Sequence, residues 1–404
     1  MTIRMDEGAA ELLDTLHRAG YAAYVVGGCV RDSLLGLTPH DWDLCTSALP
    51  QQGMELFGEE KCIPTGLQHG TVTVRQGGGL YEITTFRTEG TYTDGRHPDE
   101  VHFVPDVRED LARRDFTINA MAYNEKEGLV DPFGGQTDLQ SGILRAVGVP
   151  HQRFTEDALR ILRLYRFAAR FGFSIDPPTA QAAQELCAHL DCVSVERIEE
   201  ELAKLLSAPA PAAYLNKKIL LVILPELSSE ALAAAKPVVD ACPAGEQALP
   251  VRLAALLLSL GEDGTRRTLR RLRCSNACIE ETAVLVREVV SGVPVSLNIY
   301  TRKLLGKYNL CTVQRLAALG TALQPEHAAD FAALSELAEQ LDADGVCCRV
   351  SQLAVNGRDL MAAGVPAGPG IRKILEALLD GVIREEYPNE RQALLAAVQQ
   401  LAAS

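Results

Sequence analysis

The feature that most limits what this 404-residue chain can fold into is a change of texture near residue 150. From residue 21 to about 147 it alternates short β-rich runs (YAAYVVGG, DWDLCTS, GTVTVRQ, LYEITTFR, EVHFVPD, ILRAVG) with the Gly, Pro and Asp clusters that punctuate strands. LARRDFTINAMAYN, set among them, reads as a helix. Past residue 150 strand signals nearly vanish. Ala- and Leu-rich segments of helical period replace them in EDALRILRLYRFAARFGF, RIEEELAKLLSA, PVRLAALLLSLG and DFAALSELAEQL. Pro177-Pro178 is expected to end the first of these helices and start the next. With a first helix within residues 1–20, the pattern predicts an α+β chain: a head with one modest mixed sheet, then an all-helical remainder.

Charge and cysteine usage narrow the function. A net charge of −14 argues against a surface that is basic throughout, while leaving room for local basic strips. Arg153, Arg160, Arg163, Arg166 and Arg170 stand against only Glu156 and Asp157 in residues 151–170, and residues 266–273 read RRTLRRLR. Either strip is a solvated helix face or a nucleic-acid contact. The eleven cysteines are scattered without a CxxC pair, and neither Cys274/Cys278 nor Cys347-Cys348 has histidines near it to complete a zinc site. Reduced structural thiols, and hence a cytoplasmic protein, are expected. No apolar run approaches a membrane span, and the N-terminus reads as an amphipathic helix, so no membrane partner is expected.

Residues 27–43, GGCVRDSLLGLTPHDWD, follow the apolar run Tyr24-Val25-Val26. Glycines let a backbone approach phosphate oxygens, and Arg31 offers a forked cationic donor. If Asp41-Trp42-Asp43 is extended, Asp41 and Asp43 share a face, and their mutual repulsion calls for a divalent cation such as Mg²⁺. GGCVRD lacks the G-x-G-x-x-G spacing of a dinucleotide turn, and no GK[ST] follows to make a P-loop. Phosphoryl or nucleotidyl transfer is the chemistry this segment suggests. Glu82, at the centre of the apolar strand LYEITTFR, can add a third carboxylate if that strand adjoins the DxD strand; otherwise it is an edge-strand acid facing water.

Two further segments carry candidate ligands. In RRDFTIN, Asp115 and Asn119 at i, i+4 would share a helix face, with Arg114 free to reach phosphate. In the helix expected to begin at Glu156, Ala158, Ile161, Leu162, Tyr165 and Ala169 form one side and Arg160, Arg163, Phe167 and Arg170 the other. Asp157 and Arg160, an acceptor beside a donor fork, have the chemistry that reads a base edge. Thr91 to Asp99 is a turn-rich loop of the kind that closes over substrates.

Taken in order, GGCVRD, DWDLCT, EITTFR, DGRHPDEV, RRDFTINAMAYN and EDALRILRLYRFAARFGF resemble the class II tRNA nucleotidyltransferases (CCA-adding enzymes) and the related bacterial poly(A) polymerases. Residues 353–378 are similar to the family's C-terminal region. The resemblance implies a DNA polymerase β-like nucleotidyltransferase head (residues 1–147), followed by an all-α neck (148–208), body (209–320) and tail (321–404), the last two gripping tRNA. It implies that Asp41 and Asp43 hold catalytic Mg²⁺, with Glu82 as the third catalytic carboxylate. Gly28, Arg31 and Arg114 would meet the triphosphate of CTP or ATP, Asp115 and Asn119 the ribose, and Asp157 with Arg160 the base, supported by Arg163 and Arg166. It implies addition of C, C and A to the tRNA 3′ end. CC-adding, A-adding and poly(A)-polymerase activities are the alternatives, and the intact DGRHPDEV loop favours the full triplet. His189 and His327 are the only histidines past residue 160, too few for the histidine-aspartate hydrolase domain of some relatives, so no phosphohydrolase activity is expected. The oligomeric state is left open, a homodimer included.

Overall fold

The computed structural model describes residues 2–90, 101–289 and 296–401, and the chain divides into two compact units, Met1–Pro225 and Glu226–Ser404. The sheet lies in the first unit. Strands β1 (Ala23–Val26), β2 (Leu44–Thr46), β3 (Cys62–Gly66), β4 (Thr71–Gln76) and β5 (Gly79–Thr85) join Ala122–Asn124 and Gly128–Val130 in one seven-stranded sheet. Their order is β3-β4-β5-β2-β1, then Ala122–Asn124, then Gly128–Val130. β2 and β5 run parallel, with Leu44 opposite Ile83, and every other neighbouring pair is antiparallel. Central β1 is buried at all its positions, which is why it reads as the unbroken run AYVV. β5 alternates, with Tyr81, Ile83 and Thr85 buried and Glu82 exposed on the other face.

The helix Glu7–Arg18 starts where Asp6 accepts a hydrogen bond from the Ala9 N–H at 3.3 Å, and it buries Leu12, Leu13 and Leu16. After the head come helices Pro150–Glu156, Leu159–Phe171, Pro177–Glu185 and Val195–Leu206, of which Leu159–Phe171 packs on Val195–Leu206. The second unit is helical, its helices starting at side-chain caps such as Ser228 (from Ala231 N), Ser275 (from Cys278 N) and Asn309 (from Thr312 N). Among the described residues no helix is long and apolar enough to cross a membrane.

Four sequence expectations are corrected. LARRDFTINAMAYN is not one helix: Val107–Ala112 is helical, Thr117–Asn119 is a single 3₁₀ turn, and Ala122–Asn124 is a sheet strand. Its apolar residues Phe116, Ile118 and Met121 are fully buried, so packing outweighs the helical spacing. The neck helix does not begin at Glu156. That residue ends Pro150–Glu156, Asp157 is extended, and the long helix starts at Leu159. Gly172, in the left-handed region at φ 69°, ends that helix, while Pro177 only starts the next. ILRAVG contributes no strand to the main sheet; Ile143–Leu144 pairs with Ser174–Ile175 in a two-stranded sheet of its own. The 91–99 loop lies outside the described residues. The stretch expected as the body, 209–320, spans the division between the two units.

Candidate active site

The candidate site lies in the first unit. β1 ends at Val26, whose N–H donates to the Asp43 carbonyl at 2.9 Å, and the Gly27 N–H donates to the Met121 carbonyl at 3.0 Å. These bonds tie the glycine turn to the DxD segment on one side and to the strand after RRDFTIN on the other. Gly27 has φ 78°, and a Cβ there would meet the Arg114 guanidinium at 2.8 Å. Only glycine serves both the backbone and that approach. Arg114 is anchored by Asp110, 3.5 Å from its Nη2, and its buried Nε–H has no hydrogen-bond partner among the described residues. A cation held over a glycine turn with an unused donor suits a phosphate.

Asp41 and Asp43 lie in the irregular lead-in to β2, and both are exposed. β5 is the parallel neighbour of β2 and an interior strand, so Glu82 is no edge-strand acid. Asp43 is held above the ordinary carboxylate range. Displacement of bulk water is the largest cause; the Arg114 guanidinium pulls the other way, and the charges of Glu82 and Asp41 push upward again. Among the described residues no three metal-binding side chains converge to enclose an ion. The exposed carboxylates form an open set of hard oxygen donors, which fits a divalent cation that brings water and phosphate oxygens of its own.

Asp115 is 8% exposed, and its oxygens are taken. Oδ1 accepts from the Phe116 N–H at 2.8 Å and Asn119 Nδ2 at 3.1 Å; Oδ2 accepts from Arg163 Nε at 2.9 Å and Nη2 at 2.7 Å. Burial pushes this carboxyl up, but the Arg163 charge, the bonds from Asn119 and Arg163, and Arg160 more than offset it, leaving it well below the usual range. Asn119 accepts from Arg31 Nη1 at 2.6 Å, and Arg31 Nε donates to Asp32 at 2.7 Å. Arg31, expected at the triphosphate, is 4% exposed and spends these donors on the protein. Arg166 pairs with buried Glu201 at 2.5 Å and lies 3.9 Å from the Phe167 ring centre.

Arg113, Arg114, Asp115, Asp157, Arg160, Arg163 and Arg197 line one open cavity of about 250 Å³. Five guanidinium groups face two carboxylates there, so the cavity attracts anions despite the acidic chain. Asp157 accepts from Arg197 Nη2 at 2.8 Å, Arg197 Nη1 at 3.3 Å and the Leu159 N–H at 3.0 Å. Arg160 donates to Glu156 at 2.8 Å and to the carbonyls of Arg153 and Arg113 at 3.2 and 3.0 Å. Tertiary structure thus brings the RRD segment, the neck arginines and Asp157 to one place. Sequence reasoning missed Arg113, Arg197 and Glu201. The last two sit in RIEEEL, whose period announces a helix and nothing more.

A glycine turn and DxD acids on a mixed sheet, joined through Arg114 to an arginine-lined cavity at a helical neck, define a nucleotidyltransferase head. Residues 23–145 accordingly match the family model of the poly A polymerase head domain, and residues 251–398 match that of tRNA nucleotidyltransferase domain 2. The CCA-adding enzyme of Lactiplantibacillus plantarum is 37% identical, with 96% of this chain and 95% of that protein covered. That of Geobacillus kaustophilus is 36% identical, with 96% of each covered. The crystal structure of the Bacillus stearothermophilus CCA-adding enzyme in complex with CTP superposes with a TM-score of 0.84 at 32% identity, covering 99% of this chain and 98% of that one. The chain belongs to the CCA-adding enzyme family.

Proposed function

We propose that this protein adds C, C and A to the 3′ end of tRNA, using CTP and ATP and releasing pyrophosphate, without a nucleic-acid template. The observation that carries the reading is the single cavity in which Arg114 lies with Asp157 and Arg160. A triphosphate at the glycine turn would place its base toward that acceptor and donor.

Mg²⁺ is the cation we assign to Asp41 and Asp43, with Glu82 beside them; when bound, it supplies Lewis-acid activation of the 3′-hydroxyl and the α-phosphate. Arg114 and the Gly27-Gly28 backbone receive the triphosphate. Asp157 has three of its roughly four lone-pair sites filled by Arg197 and Leu159, leaving about one for the amino group of cytosine or adenine. Arg160, braced by Glu156, donates to a ring acceptor. Uracil and guanine present a carbonyl where Asp157 needs a donor, and two buried acceptors facing each other give strong discrimination. Asp115 and Asn119 reach the ribose only by exchanging bonds they now make within the chain. Arg163 and Arg166 keep that chain of bonds in register. The 1–147, 148–208, 209–320 and 321–404 division into head, neck, body and tail stands as part of this reading. So does a cytoplasmic setting, in keeping with eleven free thiols.

The test supplies the purified protein with tRNA lacking its 3′ end and with labelled CTP and ATP, together and separately. Three added nucleotides are expected; arrest at two indicates CC addition, and a long adenosine ladder on unrelated RNA indicates a poly(A) polymerase. Asp41→Ala and Asp43→Ala are expected to lose incorporation of both nucleotides while keeping the fold. Activity retained in either variant would overturn the metal assignment.

A further inference from the structure

Arg31 is buried beneath the glycine turn, and part of what holds it there comes from the C-terminal end of the neck helix Leu159–Phe171. Its Cζ lies 4.9 Å from the Phe171 ring centre and 5.2 Å from that of Phe167. The two rings are parallel within 4°, with centres 6.1 Å apart. Arg170 lies 5.0 Å from the same Phe171 ring, and its Nη2 reaches Asp32 Oδ2 at 3.3 Å. Asp32, itself 6% exposed, binds Arg31 Nε and Nη2 through Oδ1, at 2.7 Å each. Asp32 therefore joins two arginines from distant parts of the sequence, and Phe171 has both as cation–π partners.

A guanidinium has five N–H groups, and these contacts with Asp32 and Asn119 occupy three. The position a Gly28 Cβ would take lies 3.6 Å from Arg31 Nη2. The space left by that missing Cβ is thus flanked by a fixed positive charge with donors to spare. An unbraced arginine would spend rotamer freedom each time an anion arrived; a stacked and ion-paired one has already done so.

We infer that Asp32, Arg170 and Phe171 are positioning residues for the triphosphate: the end of the neck helix clamps Arg31 under the glycine turn, so the neck contributes to phosphate binding as well as to base reading. The inference rests on the nucleotidyltransfer reading of the same site. Its consequence is a separation of effects. Loosening the clamp weakens every triphosphate alike, because nothing in it faces the base.

Inorganic tripolyphosphate with magnesium is the probe, since it has no base to read. With the full-length chain, Arg170→Ala and Phe171→Leu are expected to weaken tripolyphosphate binding by calorimetry about three- to tenfold. They should raise the KM for CTP and for ATP by a similar factor and leave the CTP:UTP preference unchanged, and Arg170→Lys should keep part of what Arg170→Ala loses. Asp32→Asn should do the same more strongly; its melting curve shows whether it folds, and Arg170, 42% exposed, keeps the test sound if it does not. Unchanged tripolyphosphate affinity in both neck variants overturns the inference, as does an altered CTP:UTP ratio at unchanged affinity. If the parent chain binds tripolyphosphate, loses it in the variants, and yet adds no nucleotide to tRNA, the clamp stands and the proposed activity falls. A parent chain that does not bind tripolyphosphate overturns the clamp.

Discussion

Replacing Asp115 separates a ligand from a keystone. The family resemblance makes this residue a ribose contact, whereas the structure shows it 8% exposed with both oxygens engaged. Asp115→Ala would strand the Phe116 N–H and Asn119 Nδ2 and release the Arg163 fork. Removing one partner of a buried pair costs about 3–5 kcal/mol. Arg163 is 33% exposed and has Glu201 at 3.8 Å as a second partner, so the lower end, about 3 kcal/mol, is expected. Asp115→Asn keeps an acceptor for Phe116 and loses the charge, for about 1.5–3 kcal/mol. The assay is urea unfolding followed by the fluorescence of Trp42, the chain's single tryptophan, which reports on the first unit. The carboxyl is depressed in the folded protein, so its stabilisation is complete above the unfolded value and is lost as pH falls through the folded one. The difference between the parent and Asp115→Asn should therefore hold from neutral pH to about 4 and shrink below it. A loss under about 1 kcal/mol for Asp115→Ala, together with a raised KM for CTP and ATP, would refute the keystone argument and restore the ribose role.

Asp157→Ala is expected to admit UTP or erase the preference for CTP and ATP; full selectivity in that variant would remove Asp157 from base reading. Within RRTLRRLR, Arg271 is spent on Glu226 at 2.6 and 2.8 Å and Arg266 on Glu262 and Glu280, while Arg270 is exposed. Arg270→Ala should lower tRNA affinity and flatten its salt slope by about one, with Arg271→Ala doing less, and an unchanged slope would make the strip a solvated face. A thiol reagent at about pH 8 should label exposed Cys192 and Cys311 in preference to Cys242, whose thiol burial pushes from 9.0 up to about 11. A raised folded value means that this buried thiol stabilises below its unfolded pKa and ceases to as pH climbs toward 11. Equal labelling of all three by mass spectrometry would show the second unit to be open around Cys242.

The residues proposed to meet phosphate, metal and base could be named from short motifs because their chemistry is local. A glycine turn, a DxD and an acceptor three residues before an arginine are each legible in a few letters. The helical half was legible too, since amphipathic period and capping residues act within one or two turns. Misreadings fell where a segment's own period lost to packing. RRDFTINAMAYN became a 3₁₀ turn and a strand because Phe116, Ile118 and Met121 had a core to enter. Glu156 closed a preceding helix and took Arg153 and Arg160, while Asp157 left helical register and took Arg197.

The sequence by itself determined the reaction class and the change from sheet to helix, because both follow from residue types and their spacing. Only the tertiary structure decided which charges serve the ligand and which serve the protein. Asp115 and Asn119 read as binding groups in the chain, yet once folded they hold each other, Arg163 and Arg31, and Asp157, read as a base contact, already holds Arg197. Burial is the reason: a charge withdrawn from water must find a partner within hydrogen-bonding reach, and which partner that is depends on distances the linear sequence does not contain.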